Sequence, residues 1–328
     1  MLKKIRQLTS KRGVYQHGKL DQPDPKFGYA LEDQARALLV VEEFGEKELA
    51  EIYFNFVINS LGDGEKIYQF FYDRNGQIIP DKKKECSEDG MGMVVWALMR
   101  TKMNHIKKEK ILRIIFKKAD GWKYVRAMTY LLLGLVTGNK KPLEDRITKK
   151  ILVTYRENDG WSWFEDCLVY GNALLPWALW ERGQIRKDKE ALEVAEKSTK
   201  FLLEKCQENG VPLPIGCKGW QTKGGAVNKY DQQPIEAAYM INCLEQAYLA
   251  TNNKYYREQA ESWWKWFWGN NINKICLIDK DGGCFDAITE EGVNLNQGAE
   301  SNICFLMAYL AAKRMSLIEE GQQVLYHR

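Results

Sequence analysis

Histidine is scarce in this sequence, and its cysteines are far apart. Three of the 328 residues are His and eight are Cys, and no two cysteines form a CxxC pair. Structural zinc sites use closely spaced Cys and His ligands, so we expect no metal site. Scattered thiols without a disulfide framework are typical of a reducing compartment. We therefore predict reduced core cysteines and a cytoplasmic location.

Long apolar runs are also missing. The first residues, MLKKIRQLTSKRG, are basic but no apolar stretch follows them, so a secretory signal is not predicted. The longest apolar run, TYLLLGLVTG, is too short to cross a bilayer. The formal net charge of +4 comes from 48 basic and 44 acidic residues, and the basic runs are short and scattered. Neither nucleic acid, which requires one concentrated basic face, nor a membrane is expected as a partner.

Motifs for other common chemistries are lacking too. KGWQTKGG and DGGCFD contain glycines but neither GxGxxG nor a P-loop, so no nucleotide cofactor is predicted. Asp73 and Asn75 lack the remaining ligands of a calcium loop, which makes a turn the better interpretation. His17, His105 and His327 fall outside the helix openings described below. Their positions disfavour a His-based epimerase and a Ser-His triad.

Helical periodicity, by contrast, is strong. Hydrophobic residues make up 45% of the chain, enough for a sizeable core, and they recur at helical spacing in eleven stretches. The predicted helices span residues 30–44, 46–61, 89–103, 106–118, 122–137, 141–156, 170–183, 187–207, 232–251, 253–270 and 298–314. The N-terminal segment LKKIRQLTS is a candidate for a twelfth helix.

Two kinds of helix alternate along the chain. KDKEALEVAEKSTKFLLEKC has one apolar stripe, whereas KYVRAMTYLLLGLVTG and EAAYMINCLEQAYLA are apolar nearly all round and must be surrounded by other helices. The alternation predicts an all-α (α/α)6 toroid, a barrel of six inner and six outer helices, as a single domain over residues 1–328. Turn signals between β-forming residues at 72–76 and 279–283 predict short β-hairpins at the pocket end.

Acidic residues recur where the predicted inner helices begin. These openings contain LEDQAR, SEDG, WFEDC, KYDQQPIE and NLNQGAES. Any single acid there is an ordinary first-turn residue, because the helix dipole favours a carboxylate at that end. Five acid-bearing openings at one end of a barrel are better explained by a shared pocket. The predicted acid/base candidates are Asp33, Asp89, Glu165, Asp231 and Glu300.

Amides and aromatic rings accompany these acids. Amides can bond hydroxyl groups, and an aromatic ring can pack on the apolar face of a sugar. Crowded carboxylates cannot all ionise, so one keeps its proton near neutrality while another stays anionic, as glycosidic cleavage requires. The predicted substrate-binding residues are Arg36, Trp161, Trp163, Tyr170, Asn172, Trp220, Gln232, Gln233, Asp286, Asn294 and Asn296.

The same segments resemble a known group of proteins. GYALEDQARAL, SEDGMGMVVWAL, WSWFEDCLVYGNALLPWAL, YDQQPIEAAYM and GGCFDAITEEGVNLNQGAES resemble bacterial and archaeal (α/α)6-toroid proteins described as glycosidase-like. Where the first motif of such relatives reads like DDNARAL, this chain has Glu32-Asp33-Gln34 and keeps Arg36. Where they often have Ser-His-Gly, it has Gly90-Met91-Gly92. The resemblance implies a protein that acts on glycans. Because related segments occur beside or fused to glycosyltransferases, it also implies a possible glycosyltransferase partner.

We therefore predict a metal-independent glycoside hydrolase for a carbohydrate substrate, an oligosaccharide or glycoconjugate. Inversion is favoured, because acids on separate inner helices leave room for a water molecule. The alternative is a non-catalytic glycan-binding or glycosyltransferase-associated module. A toroid acting on isoprenoids is a third hypothesis, but it requires an apolar cavity, which the Asn and Gln residues at the openings disfavour.

Overall fold

The computed structural model describes residues 1–20, 22–69 and 85–318. The chain falls into two compact units. Unit 1 comprises Met1–Thr154 with Asn296–Ile303, and unit 2 comprises Tyr155–Leu295 with the described residues from Cys304 onward. Twelve α-helices and five two-stranded antiparallel sheets lie in the described part of the chain. The assignment of residues 1–328 to a single domain stays a prediction.

Unit 1 is built mainly from helices in pairs. In chain order its elements are α1 (Lys3–Leu8), β1 (Gly18–Lys19), β2 (Gln22–Pro23), α2 (Leu31–Glu43), α3 (Lys47–Asn59), α4 (Glu88–Arg100), α5 (Ile106–Ala119), α6 (Val125–Leu135) and α7 (Lys141–Leu152). α2 packs on α4, and α4 packs on α6, whereas α3, α5 and α7 each pack on the helix before them. All eleven residues of α6 are buried, as expected for a helix that is apolar on every side.

Unit 2 contains helix pairs and most of the strands. Its elements are β3 (Arg156–Asn158), β4 (Trp161–Trp163), β5 (Cys167–Leu168), α8 (Leu174–Arg186), α9 (Lys189–Lys205), β6 (Gln207–Glu208), β7 (Val211–Pro212), β8 (Gln221–Thr222), α10 (Pro234–Thr251), α11 (Lys254–Trp266), β9 (Ala287–Thr289) and β10 (Gly292–Asn294). The last helix, α12 (Ala299–Arg314), begins in unit 1 and continues in unit 2 after Ile303. α8 packs on α9 and α10, and α10 packs on α11.

Burial follows the predicted alternation of helix types. Thirteen of the 18 residues of α10 are buried, but only seven of the 17 in α9, which turns one stripe toward α8. The eleven predicted helices are all present, with ends within a few residues of those predicted, and α1 lies in LKKIRQLTS. α7 ends at Leu152 rather than at residue 156, because Arg156 already belongs to β3.

The hairpin predictions were incomplete. An antiparallel bridge joins Ile278 and Cys284 around the turn at 279–283, which confirms that hairpin. The other predicted hairpin, at 72–76, lies outside the described residues. Periodicity missed the pairs β1–β2, β3–β4, β6–β7 and β9–β10, because strands of two or three residues are too short to show an alternation. It also missed β5–β8, whose partners are distant in sequence.

Candidate active site

In unit 1, α2 and the first turn of α12 place two carboxylates beside one buried arginine. Arg36, only 2% exposed, donates from Nη1 to Oε2 of Glu300 over 3.2 Å. Oδ1 of Asp33, one turn earlier on α2, lies 3.8 Å from the same nitrogen. A buried guanidinium requires such anionic partners. Asp33 is itself buried, whereas the Glu300 side chain is 42% exposed, so Glu300 is the more accessible of the two carboxylates.

Glu32 is a third carboxylate of this cluster and is not among the site residues predicted from the sequence. Nε2 of Gln69 donates to Oε1 of Glu32 over 2.9 Å. Burial raises the pKa of Glu32 above its usual value, and the nearby Glu300 charge adds to the rise, while Gln69 and Arg36 oppose it. A carboxyl group that holds its proton to higher pH thus lies near the accessible carboxylate of Glu300.

The start of α4 adjoins the same cluster. A Cβ on Gly90 would lie 2.3 Å from Sγ of Cys86 and 3.2 Å from Oε1 of Glu32, so these groups are neighbours. Burial and the charges of Glu32 and Asp89 raise the pKa of the Cys86 thiol well above its usual value. Asp89 therefore acts on this cluster electrostatically, and the protonated thiol is a neutral neighbour for Glu32.

Glu88, next to Asp89, has a structural role. Its Oε2 accepts hydrogen bonds from the backbone amides of Lys123 and Tyr124, at 3.3 and 3.4 Å, just before α6. The N-cap residue of α6 itself makes no side-chain capping bond. A carboxylate on α4 thus bonds to the amides at the opening of α6 and places favourable negative charge at that helix end.

The opening of α12 is bound by an N-terminal arm, residues 13–19. The carbonyl of Gln16 accepts from the amide of Ala299 over 3.0 Å, and the carbonyl of Gly18 accepts from the amide of Gln297 over 2.7 Å. The Gly18 amide donates to Oδ1 of Asn296 over 3.2 Å. The predicted hydroxyl-binding residue Asn296 therefore also anchors the arm.

The arm changes how two residues are interpreted. His17 lies between the two arm residues whose carbonyls bind the opening of α12, so the view that no histidine accompanies an inner-helix opening was wrong. Its ring centroid is 4.3 Å from that of Phe27. Glu300 has one hydrogen-bond partner among the described residues, Arg36, and therefore does not cap its own helix there.

In unit 2, Glu236 on α10 holds the turn that precedes α8. Its carboxylate accepts from the amides of Gly171 and Asn172, the latter over 3.3 Å, and from Nδ2 of Asn172 over 3.2 Å. Oδ1 of Asn172 accepts from the Val169 amide over 3.0 Å. Asn172 is 1% exposed, and α8 begins at Leu174 rather than at residue 170 because this turn comes first. The side chain of Asn172 thus has a structural role in this turn.

The two glutamines before α10 differ in what they contact. Gln232 is fully buried, donates from Nε2 to the Lys229 carbonyl over 2.8 Å, and accepts from Nε1 of Trp266 over 3.0 Å. Gln233 is half-buried, and its side chain makes no hydrogen bond within the described residues. Of the pair, Gln233 has the amide that a ligand can use.

Asp231 and Asp286 lie on neighbouring segments and both act electrostatically on Cys217. Strand-like hydrogen bonds between Gln232 and Ile288 bring the two segments together. Nδ2 of Asn294 lies 3.4 Å from Oδ2 of Asp286, and Oδ1 of Asp231 lies 4.0 Å from Nζ of Lys218. Burial, followed by the charges of Asp231 and Asp286, raises the pKa of the nearby Cys217 thiol.

The aromatic candidates of unit 2 divide into a partly exposed pair and a buried pair. Pairing of β5 with β8 brings Tyr170, 40% exposed, and Trp220 to a centroid distance of 6.3 Å. Trp161 and Trp163 are 5% and 1% exposed and pack on Phe201. Their burial gives these two rings a packing role, and sugar contact through them stays a prediction.

The remaining acid candidate, Glu165, is half-buried, and its backbone carbonyl accepts from Nε1 of Trp161 over 2.7 Å. Asp33, Arg36, Asp89 and Glu300 thus lie in unit 1, and Glu165 and Asp231 lie in unit 2. One pocket shared by all five acid candidates stays a prediction.

Three further observations on the described residues concern membrane spans, metal ligands and cysteines. None of their helices is both long and apolar enough to cross a membrane. They contain no group of three or more His, Cys, Asp or Glu side chains arranged to hold a metal ion. All eight cysteines are free thiols, and five of them are buried.

Comparison with known proteins gives structural relatives only. No protein-family model and no curated protein matches the sequence. The structure is similar to that of a D-mannose isomerase (TM-score 0.71, 11% identity, 95% of this chain and 94% of that chain). It is also similar to a cellobiose 2-epimerase from Bacillus thermoamylovorans (TM-score 0.70, 13% identity, 94% of this chain and 95% of that chain). An α-1,6-mannanase from Salegentibacter sp. is similar as well (TM-score 0.62, 14% identity, 94% of this chain and 95% of that chain).

These similarities cover nearly the whole chain and show its fold. The protein has the all-α (α/α)6-toroid fold with short β-hairpins that the sequence predicted. At such low identity the comparison extends to the fold and no further.

Proposed function

We propose that this protein is a glycoside hydrolase in which Glu32 donates a proton and Glu300 acts as the base. One observation carries the proposal: a half-buried carboxyl group, whose pKa is raised by desolvation, lies near an accessible carboxylate held by Arg36. Two carboxyl groups in different environments are what a single pocket requires to supply an acid and a base. Asp33 supports the arrangement through its contact with Arg36.

The chemistry follows from these two environments. Glu32 protonates the glycosidic oxygen as its bond to the anomeric carbon breaks. Glu300 accepts a proton from a water molecule whose oxygen attacks that carbon from the opposite face. The reaction inverts the anomeric configuration. Asp89, Glu165 and Asp231 remain candidates for further substrate contacts.

Two observations support a carbohydrate substrate, which we take to be an oligosaccharide or glycoconjugate. The isomerase, epimerase and mannanase with the same fold are all named for sugars. In unit 2, the exposed ring of Tyr170 lies beside Trp220, and such rings can pack on a sugar face. The amides of Gln233 and Asn294 can bond hydroxyl groups.

A second candidate function is a non-catalytic glycan-binding or glycosyltransferase-associated module. It is favoured by the carboxylates that cations and amides already hold. Asp33 lies beside Arg36, Asp231 beside Lys218, and Glu236 bonds to the turn before α8. A binding protein uses carboxylates as fixed acceptors and does not require one that keeps its proton, so the raised pKa of Glu32 favours the enzyme.

The test is an oligosaccharide hydrolysis screen followed by variants. Glu32→Gln and Glu300→Gln are each expected to lower kcat by at least about 100-fold, because a positioned proton donor or acceptor contributes about 10²–10⁴-fold. Glu190→Gln is the matched control, since Glu190 lies in the first turn of the amphipathic α9. ¹H NMR of the first product should show the inverted anomer.

Three results would contradict the proposal. Full turnover in both site variants would remove these residues from the mechanism. Glycan binding without hydrolysis by any substrate in the screen would favour the binding module. Epimer formation without hydrolysis would instead direct attention to His17.

A further inference from the structure

We infer that the N-terminal arm is a positioning element of the acid site: it occupies the opening of α12 so that Glu300 faces Arg36 and not the amides of its own helix. The inference rests on the proposed function, because it concerns how the proposed base is placed. Gln34 and Gly298 are the residues through which the arm acts.

Gln34 fastens the arm to α2. The side chain is fully buried; Oε1 accepts from the Val14 amide over 2.9 Å, and Nε2 donates to the Val14 carbonyl over 2.8 Å. Both backbone groups of one arm residue are thus bonded to the helix that also carries Arg36. Buried bonds of this kind fix position well, because breaking one leaves an unsatisfied polar group.

The other end of the arm is fastened to α12. Gln16 and Gly18 accept from the amides of Ala299 and Gln297, and Gly18 donates to Asn296. A Cβ on Gly298 would lie 2.2 Å from the Gln16 carbonyl oxygen and 3.1 Å from Cα of His17. The contact is with backbone atoms, so rotation of a side chain cannot relieve it. Only glycine permits the arm to approach this closely.

This arrangement decides what the Glu300 carboxylate bonds to. A first-turn carboxylate ordinarily gains from the amides at its helix end. Here the Ala299 amide is bonded to Gln16, and the described partner of Glu300 is Arg36. α2 therefore holds the start of α12 by two routes: directly through Arg36, and through Gln34 and the arm.

Gly298→Ala is the first test, because the added methyl group pushes the arm away without replacing any side chain of the acid cluster. Gly121→Ala is the matched control: it is also in unit 1, and its Cβ would make only an ordinary 3.5 Å contact. We expect Gly298→Ala to lower kcat by about 10- to 100-fold, as displacement of a reacting group by about 1 Å does, with a smaller change in KM.

A second readout does not depend on turnover. In Gly298→Ala the Ala299 amide loses the Gln16 carbonyl as its acceptor, so its hydrogen exchange, followed by ¹H–¹⁵N NMR, should become faster than in the unaltered protein and in Gly121→Ala. If Gly298→Ala does not fold, Gln34→Ala releases the other end of the arm and is expected to speed the same exchange.

The outcomes separate this inference from the proposed function. Loss of turnover in Glu300→Gln, with unchanged kcat and unchanged Ala299 exchange in Gly298→Ala, would overturn the inference alone. Full turnover in Glu300→Gln would overturn the proposed function. Faster Ala299 exchange together with a lowered kcat in Gly298→Ala would support the positioning role whatever the substrate.

Discussion

At the residue scale, Glu32 and Glu300 show how the surroundings assign roles to two identical side chains. Glu32 is held against Cys86 and Gly90, and burial raises its pKa. Glu300 is nearly half-exposed and paired with Arg36. A functional group kept in an unfavourable environment usually costs stability. That cost at Glu32 can be measured.

We predict that Glu32→Gln stabilises the folded protein at neutral pH. The pKa of Glu32 is higher in the folded than in the unfolded chain, so its contribution to stability is fully present below the unfolded pKa and is lost as pH rises through the folded pKa. Gln cannot ionise and avoids this loss. Urea unfolding should therefore show a higher free energy of unfolding for the variant at pH 7–8, and a gain that shrinks toward pH 4.

If the free energy of unfolding of Glu32→Gln were higher by the same amount at every pH, packing rather than the charge of Glu32 would explain the effect. Glu190→Gln, at an exposed position, is expected to show no such pH-dependent difference.

The predicted sugar-binding amides show the limit of reasoning from residue type. Asn172 and Gln232 are predicted to bind sugar because amides at helix openings can bond hydroxyl groups. In the structure, Asn172 bonds to Glu236, and Gln232 bonds to Trp266 and Lys229. These partners are mostly distant in sequence, so nothing local distinguished the two from Gln233, whose side chain has no hydrogen bond within the described residues.

At the element scale, helix openings are served by neighbouring elements. Glu88 on α4 bonds to the amides before α6, Glu236 on α10 bonds to the turn before α8, and the arm bonds to the start of α12. The amphipathic α9 and α11 instead begin with their own capping residues, Asp188 and Asn253. A helix-end role is therefore correct for Glu88 and Glu236, but each carboxylate bonds to the opening of a neighbouring helix.

The far end of α12 allows a prediction about helix packing. Arg314 donates from Nε and Nη2 to the two carboxylate oxygens of Glu245 on α10, at 2.5 and 2.6 Å. Glu245 is buried, so Arg314→Met removes a cation from beside a buried carboxylate. Breaking a fully buried pair costs about 3–5 kcal/mol, but the Arg314 side chain is 40% exposed, so we expect a loss of about 2–3 kcal/mol in urea unfolding.

A double variant checks the cause of that loss. Arg314→Met with Glu245→Leu removes both charges and should recover much of the stability, because an apolar pair avoids the desolvation cost. If the double variant is less stable than Arg314→Met, packing around these side chains, and not the loss of the cation beside Glu245, explains the lower stability.

At the scale of the whole molecule, the fold is established and the domain count is a proposal. α12 belongs in part to unit 1 and in part to unit 2. We propose that residues 1–328 form one domain and expect a single calorimetric transition, with a van't Hoff enthalpy equal to the calorimetric one. Two resolved transitions would contradict a single domain.

The helices, their alternation and hence the fold could be predicted from the sequence, because apolar spacing is local information and a helix that is apolar all round must be surrounded. The sequence also placed acids at helix openings. The tertiary structure decided which acid is buried beside which cation. Glu32 was overlooked beside Asp33, and His17 was placed away from the openings, because burial and pairing come from residues such as Gln69, Arg36 and Ala299 that the chain brings together only on folding.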